Sequence, residues 1–221
     1  MPYVERVNDG NKATSTLSLV QDGPGMTSSN WRTQLPVLSG RGITLRELEL
    51  EDAPSLFAML TTEEVSRFIS PPPTTVEGFE KFIVWTRNQR EAGQYVCFGV
   101  VPEGMTAAIG LFQLRSLEPG FATGEWGFAI GSPYWGSGLF VAGAELVLDF
   151  AFETIGAFRL EARSSVQNGR GNGALRKLGA MKEGVLKQAF KLRGTFYDQN
   201  VWSILASAWV QAKVTWEPRA A

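Results

Sequence analysis

Histidine is absent from the sequence, and cysteine occurs once, at Cys97. Without histidine there is no Ser-His-Asp or Cys-His nucleophilic machinery, no zinc site of the Cys/His type and no imidazole proton shuttle. One cysteine excludes an internal disulfide and CxxC redox chemistry. Acid–base work is therefore left to carboxylates, tyrosine, lysine, the thiol or water. No run of about 18 apolar residues is present, so no transmembrane helix is expected. Met1 to Gly25 has no apolar signal-peptide core and carries Glu5, Asp9 and Asp22, so a cytoplasmic location is the expectation. Neither sign of charge is in excess, with 21 Lys+Arg against 22 Asp+Glu. That balance gives no general attraction to nucleic acid or to an anionic membrane.

What remains describes an ordinary globular chain. Its 221 residues, 44% hydrophobic and 19% charged, suffice for a sizeable core without staples. Residues 1–34, with abundant Asn, Ser, Thr and Gly, are expected to form a poorly ordered arm, and Met26 is a candidate natural start. Residues 35–212 are expected to form one domain and 213–221 a tail. A first strand spans Ile43 to Leu50. Asp52 then stands as N-cap with Pro54 in the first turn of a helix whose apolar face is Leu56, Met59 and Leu60. Pro71-Pro72-Pro73 stops the chain. Val76, Phe79, Phe82, Ile83 and Val84 then recur at helical spacing up to Gly93. Strands follow at Tyr95 to Val101, Ala108 to Leu117 and Thr123 to Ile130. A glycine loop, Gly131 to Gly138, leads into an apolar helix from Leu139 to Ile155. A strand from Phe158 to Val166, a short helix from Gly173 to Leu178, and two antiparallel strands, Glu183 to Leu192 and Tyr197 to Trp209, joined around Arg193-Gly194 complete the chain. The order β-α-α-β-β-β-α-β-α-β-β predicts an α/β (α+β) domain with a mixed, mostly antiparallel sheet flanked by helices.

Gly136 and Gly138 permit a tight turn that leaves backbone N–H groups at the positive end of the next helix, a site suited to a phosphate or pyrophosphate. A purely structural turn is the commoner meaning of such a pair taken alone. No Lys-Ser/Thr follows Gly138, so the loop is not a P-loop. It also lacks the three-glycine spacing of a Rossmann fingerprint.

Glu125-Trp126-Gly127-Phe128, Pro133-Tyr134-Trp135-Gly136-Ser137-Gly138, Asn168, and Leu175-Arg176-Lys177-Leu178-Gly179-Ala180 with Glu183-Gly184 follow one another in a set order. In that order they resemble the GNAT superfamily of acyl-CoA-dependent N-acyltransferases, and within it the RimJ/RimL-like branch. The ending Gly194-Thr195-Phe196-Tyr197-Asp198, then Val201 to Leu205, is similar to that branch. The resemblance implies acetyl-CoA as co-substrate, with the loop from Tyr134 through Trp135, Gly136, Ser137, Gly138 and Leu139 to Phe140 holding its pyrophosphate. It implies that Phe128, Ala129 and Ile130 flank the pantetheine arm and that Asn168 hydrogen-bonds it. The implied acceptor is a protein or peptide amino terminus, attacked without a covalent enzyme intermediate. The alternatives are a small amine (a polyamine, an amino acid or an aminoglycoside antibiotic) and a non-catalytic acyl-CoA-binding module. No metal is implied, and the state is monomer or homodimer.

A base must deprotonate the amine, and with histidine absent a carboxylate is the natural choice. Glu125 is the candidate, set among apolar Trp126 and Phe128. A solvated strand residue is the competing account of it. The usual proton donors of the family are replaced here: the Tyr position is Leu175 and the Ser position is Gly171. Tyr197 or an ordered water is the substitute acid, or the thiolate leaves directly to solvent. Pro71 to Thr75 and Phe196 to Gln199 are expected to wall the acceptor site. Cys97 and the aromatics Phe79, Phe82, Trp85, Phe150 and Phe152 are expected in the core, and Lys187, Lys191 and Arg193 on a solvated face.

Overall fold

A computed structural model describes residues 30–215. The chain opens with a hairpin, β1 (Leu38–Gly40) and β2 (Ile43–Glu47), followed by helices α1 (Ala53–Leu60), α2 (Glu63–Ser66) and α3 (Val76–Glu91). Three strands come next, β3 (Tyr95–Pro102), β4 (Gly110–Ser116) and β5 (Thr123–Ile130). Helix α4 (Leu139–Asp149) runs on through a π-helical turn to Ile155 and leads to β6 (Arg159–Ser165) and α5 (Gly169–Lys177). The hairpin β7 (Met181–Leu192) and β8 (Thr195–Leu205) then passes into α6 (Ala206–Thr215). The strands make one sheet in the order β1-β2-β3-β4-β5-β6-β8-β7. Every pairing is antiparallel except β5 with β6, as the mixed, mostly antiparallel expectation requires.

Local chemistry accounts for most boundaries. Thr75 caps α3 by accepting a hydrogen bond from the Gly78 N–H at 3.0 Å, and Phe79, Phe82 and Ile83 form its buried stripe. The β7–β8 turn places Arg193 and Gly194 at φ 48° and 85°, the paired positive values that a two-residue hairpin turn requires. Each face of the sheet carries its own core. Phe98, Phe112, Trp126 and Leu160 pack with α4 and α5 on one face. Tyr95, Cys97, Leu111 and Ala129 pack with α1 and α3 on the other. Alternate residues of one strand therefore serve opposite cores.

Several expectations are corrected. The first strand stops at Glu47, because Leu48 turns into the core while Leu50 lies exposed in a short 3-10 turn. Hairpin strand β1 precedes it. Ala206 to Trp209, expected as the end of the last strand, is the start of α6. There Trp209 is buried and its indole N–H donates to Asp149 at 2.7 Å. Helix α5 starts at Gly169, ahead of the expected Gly173. Trp31 is buried edge-on against Phe121, so packing begins before Leu35; the rest of the expected arm, residues 1–29 with Met26, lies outside the described residues, as do residues 216–221 of the expected tail. Asp52 does stand before α1, but its side chain does not cap it. It instead accepts two hydrogen bonds from the Arg46 guanidinium, at 2.7 and 2.9 Å, and the N–H groups of Glu49 and Ala108. Among the described residues no helix is long and apolar enough to cross a membrane.

Candidate active site

Strands β5 and β6 pair in parallel only over Thr123↔Arg159, Gly124↔Leu160 and Glu125↔Glu161. Beyond Glu125 they part, while β5 stays paired to β4 as far as Ile130. The gap is a wedge within the sheet, and a cavity of about 250 Å³ occupies it.

The cavity is lined from both faces of the sheet. Gln113, Arg115, Glu125 and Gly127 belong to the face that carries Tyr95 and Cys97, because Tyr95↔Arg115↔Glu125 and Cys97↔Gln113↔Gly127 are in register. Phe68, Ile69 and Ser70, from the segment after α2, also line the cavity. Trp126, Phe128, Ala162 and Ser164 belong to the opposite face, joined there by Asn168, Gly171 and Leu175 of α5 and its cap. The two sides of the lining differ in character: one is polar and charged, the other largely apolar.

On the polar side Glu125 forms an ion pair with Arg115 across β4–β5; the Glu125 side chain is 16% exposed and that of Arg115 is 41% exposed. The pair fixes the carboxylate at the edge of the cavity. Beside it the buried Tyr95 phenol donates to Gln113 Oε1. Burial, with Cys97 adding to it, pushes the Tyr95 phenol well above its ordinary range, so it stays a neutral donor. With its oxygen engaged, the Gln113 amide leaves Nε2 buried without a hydrogen-bond partner. Gly127, directly opposite Gln113, makes room for it: a Cβ there would lie 3.0 Å from Nε2.

On the other side the loop after β5 is pinned at several points. The Trp135 indole N–H donates to the Ile130 carbonyl at 2.8 Å, and the Ser137 hydroxyl donates to the Tyr134 carbonyl at 2.7 Å. Gly136 and Gly138 have φ 81° and 88°, and a Cβ on either would meet nothing within 4 Å. The loop backbone is thus open to solvent just before the first turn of α4, whose N–H groups at Phe140 and Val141 precede any intrahelical acceptor, while that of Leu139 makes a long bond of 3.5 Å to Ser137 Oγ. The guanidinium of Arg170 lies 4.3 Å over the Trp135 ring and brings a cation to the same loop.

Asn168 caps α5: its Oδ1 accepts from the Gly171 N–H at 2.9 Å. Asn172 fastens that helix, donating to the carbonyls of Ser165 and Asn168 and accepting from Asn200 Nδ2 and the Trp202 indole. Ser164, 7% exposed, has a buried hydroxyl with no hydrogen-bond partner.

The wedge thus brings Glu125, Phe128 and Asn168 together at one cavity, with Gly171 and Leu175 beside them. Ala129 and Ile130 carry β5 onward to the loop, where Tyr134 to Phe140 lie. Tyr197 is not among the residues lining the cavity; its ring packs across the hairpin on Phe190, which is. Pro71 to Thr75 also stay off the cavity wall, where Phe68 to Ser70 take their place, while Gln199 does line it. Lys187 pairs with Asp198 at 2.9 Å and Lys191 lies over the Phe196 ring, so the expected basic cluster is partly engaged within its own hairpin. Sequence reasoning passed over Gln113, Arg115, Ser164, Arg170 and Asn172. Gln113 and Arg115 carried a signal: they are polar residues inside an otherwise apolar strand.

A family model described as an acetyltransferase (GNAT) domain matches residues 43–181, more than half of the chain. The chain belongs to the GNAT acetyltransferase family. The matched stretch spans β2 to the start of β7 and so contains the wedge, the glycine loop and α5. The uncharacterized N-acetyltransferase YoaA of Bacillus subtilis is 28% identical over 175 residues, covering 77% of this chain and 97% of that protein. The GNAT-family acetyltransferase structure from Bacillus anthracis superposes with a TM-score of 0.68 at 19% identity, over 78% of this chain and 99% of that one. A ribosomal-protein S5-alanine acetyltransferase from Vibrio fischeri gives a TM-score of 0.70 at 19% identity, over 79% and 98% of the two chains. As a GNAT member the protein is an acetyl-CoA-dependent N-acetyltransferase.

Proposed function

We propose that the acceptor is the amino terminus of a protein or peptide, and that Glu125 receives the proton its amine gives up. The observation that carries this reading is the pairing of two unlike groups on the polar side of the wedge. Glu125 offers a carboxylate and Gln113 Nε2 offers an unpartnered donor on the same face of the sheet. An α-amine followed by a peptide carbonyl satisfies both, whereas a polyamine has nothing for Gln113 to donate to. The Vibrio fischeri protein of like fold, named a ribosomal-protein-S5-alanine acetyltransferase, supports the same class.

The opposite side of the wedge suits the coenzyme. Open N–H groups of the loop from Gly136 into α4, with Arg170 beside them, are fitted to a pyrophosphate. The unpaired edge of β5 at Phe128 to Ile130 and the side-chain amide of Asn168 are fitted to an extended amide-bearing arm. Acetyl-CoA, when bound, supplies an acetyl group activated as a thioester. The protein's part is to hold thioester and amine together in a wedge lined from both faces and to take one proton.

The test is a panel of amino-terminal peptides and of polyamines incubated with acetyl-CoA, read as thiol release. Peptides are expected to be acetylated and polyamines not. Glu125→Gln is expected to lower kcat by about a hundredfold while coenzyme affinity is retained. Acetylation of polyamines alone would refute the acceptor, and unchanged turnover of Glu125→Gln would remove the base. Coenzyme binding without turnover on any acceptor would make the protein a binding module.

A further inference from the structure

We infer that the Ser164 hydroxyl donates a hydrogen bond to the coenzyme sulfur as the thiolate departs. The inference rests on the acetyl-transfer reading above and assigns a role to a residue outside it.

Ser164 lies near the end of β6, on the apolar side of the wedge. Three residues on from Glu125↔Glu161, the parallel register sets Ser164 level with Phe128 across the gap. The residue is buried, at 7% exposure, and Oγ is buried with no hydrogen-bond partner. A buried hydroxyl left unpaired beside a cavity is a donor awaiting a ligand, since native interiors rarely leave such groups unused. Helix α5 offers no competing proton donor at the two positions that face this region, because Gly171 has no side chain and Leu175 is apolar. A Cβ built on Gly171 would lie 3.1 Å from Ser164 Oγ and 2.5 Å from Asn168 Nδ2. The two donors converge on the space that a side chain at 171 would fill. Strand β6 thereby supplies the hydroxyl that α5 lacks.

The placement suits the chemistry. The amine approaches from the face that holds Glu125, and the leaving group lies on the face that holds Ser164. As the new C–N bond forms, the nitrogen proton passes to Glu125. The C–S bond then breaks and its electron pair goes to sulfur. A serine hydroxyl holds its proton more tightly than a thiol of ordinary pKa about 8.5, so Ser164 keeps the proton and stabilises the sulfur charge by a charge-assisted hydrogen bond. The thiolate later takes its proton from solvent, and the carboxyl of Glu125 returns its own.

The test uses coenzyme A itself. Binding is measured by calorimetry, and the bound thiol is titrated by its thiolate ultraviolet absorbance in the wild type, Ser164→Ala, Ser164→Thr and Ser164→Val. Threonine and valine have nearly the same shape and differ in the hydroxyl, so their comparison holds if the alanine variant does not fold. The bound thiol is expected to titrate about one unit lower in the wild type and Ser164→Thr than in Ser164→Ala and Ser164→Val. All four are expected to bind the protonated coenzyme alike. With acetyl-CoA, kcat of the alanine and valine variants is expected to fall between about tenfold and a hundredfold at unchanged KM for acetyl-CoA. Identical thiol titration with coenzyme bound to all four variants would overturn the role of Ser164 alone. Absence of coenzyme binding by the wild type would overturn the reading on which it rests.

Discussion

Replacing Asp52 by alanine removes the acceptor for four hydrogen bonds at once: two from Arg46 and one each from the N–H groups of Glu49 and Ala108. Asp52 is 1% exposed, and the Arg46 side chain is 17% exposed. Breaking a buried pair by deleting one partner costs about 3–5 kcal/mol. The partial hydration left to Arg46, with its bonds to the carbonyls of Glu47 and Thr106, places this case at about 3 kcal/mol. For a chain of this length each kcal/mol lowers Tm by about 2–4 °C, so Asp52→Ala is expected to lose about 6–12 °C in a calorimetric or fluorescence melt. Asp52→Asn keeps the shape and one acceptor oxygen but turns an amide N–H₂ toward Arg46, and is expected to lose roughly half as much. The double variant Arg46→Met/Asp52→Ala is expected to be less unstable than the sum of its singles by at least about 1.5 kcal/mol. Burial raises the Asp52 pKa, but the Arg46 and backbone donors outweigh it and hold the carboxyl below its ordinary value. Its contribution is therefore complete above about pH 5 and is lost as pH falls through the folded-state pKa. A fall in Tm of under about 2 °C for Asp52→Ala would refute this account of the site.

Gly136→Asp meets no neighbour within 4 Å of its Cβ but is strained at a φ of 81°, so it is judged against Gly136→Asn, which carries the same strain without the charge. Relative to Gly136→Asn, Gly136→Asp is expected to weaken coenzyme A binding at least about tenfold in calorimetry, by setting a carboxylate where a pyrophosphate would lie; equal affinity would make the loop a mere turn. Cys97 is buried and its thiol is pushed well above the ordinary range, by burial first and by Glu47 second. A soluble disulfide reagent should therefore label it only after unfolding, and fast labelling of the native protein would contradict the burial. Glu183 accepts from Arg159 and from the Ser203 hydroxyl, and its pKa is lowered to about 2. The stability difference between wild type and Glu183→Gln, followed by denaturant unfolding, should hold steady above about pH 5 and shrink as pH falls from there toward 2. The effect is small because the carboxyl is 43% exposed. A difference as large at roughly pH 3 as at neutrality would refute it.

Much of the fold is written in local pattern. The glycine loop, the capped stripe of α3 and the Arg193-Gly194 turn are each set by residues within a few positions of one another, so their signals survive in the bare sequence. Errors arose where a distant partner overrode the local signal. Asp52 has the composition of a helix cap, yet its carboxylate is claimed by Arg46 of β2 and by the backbone of Ala108, just before β4. Ala206 to Trp209 has the apolar texture of a strand, yet Asp149 of α4 fixes the indole of a helix there.

The candidate site divides in the same way. The absence of histidine is a property of the sequence alone and leaves acid–base work to carboxylates, tyrosine, lysine, the thiol or water. Direct transfer and the missing donors at Gly171 and Leu175 come from the family resemblance, and the expected setting of Glu125 among Trp126 and Phe128 is corrected, because strand alternation puts those rings on the opposite face. Which side of the cavity each group serves is decided by the tertiary structure. Parting β5 from β6 after Glu125↔Glu161 leaves a cavity lined from both faces of the sheet. Strand alternation then sends Glu125 and Gln113 to one face and Ser164 to the other, and Tyr197 is left against Phe190. No spacing in the chain encodes that convergence, because Gln113, Glu125, Ser164 and Gly171 lie on four elements that meet only when the sheet is assembled.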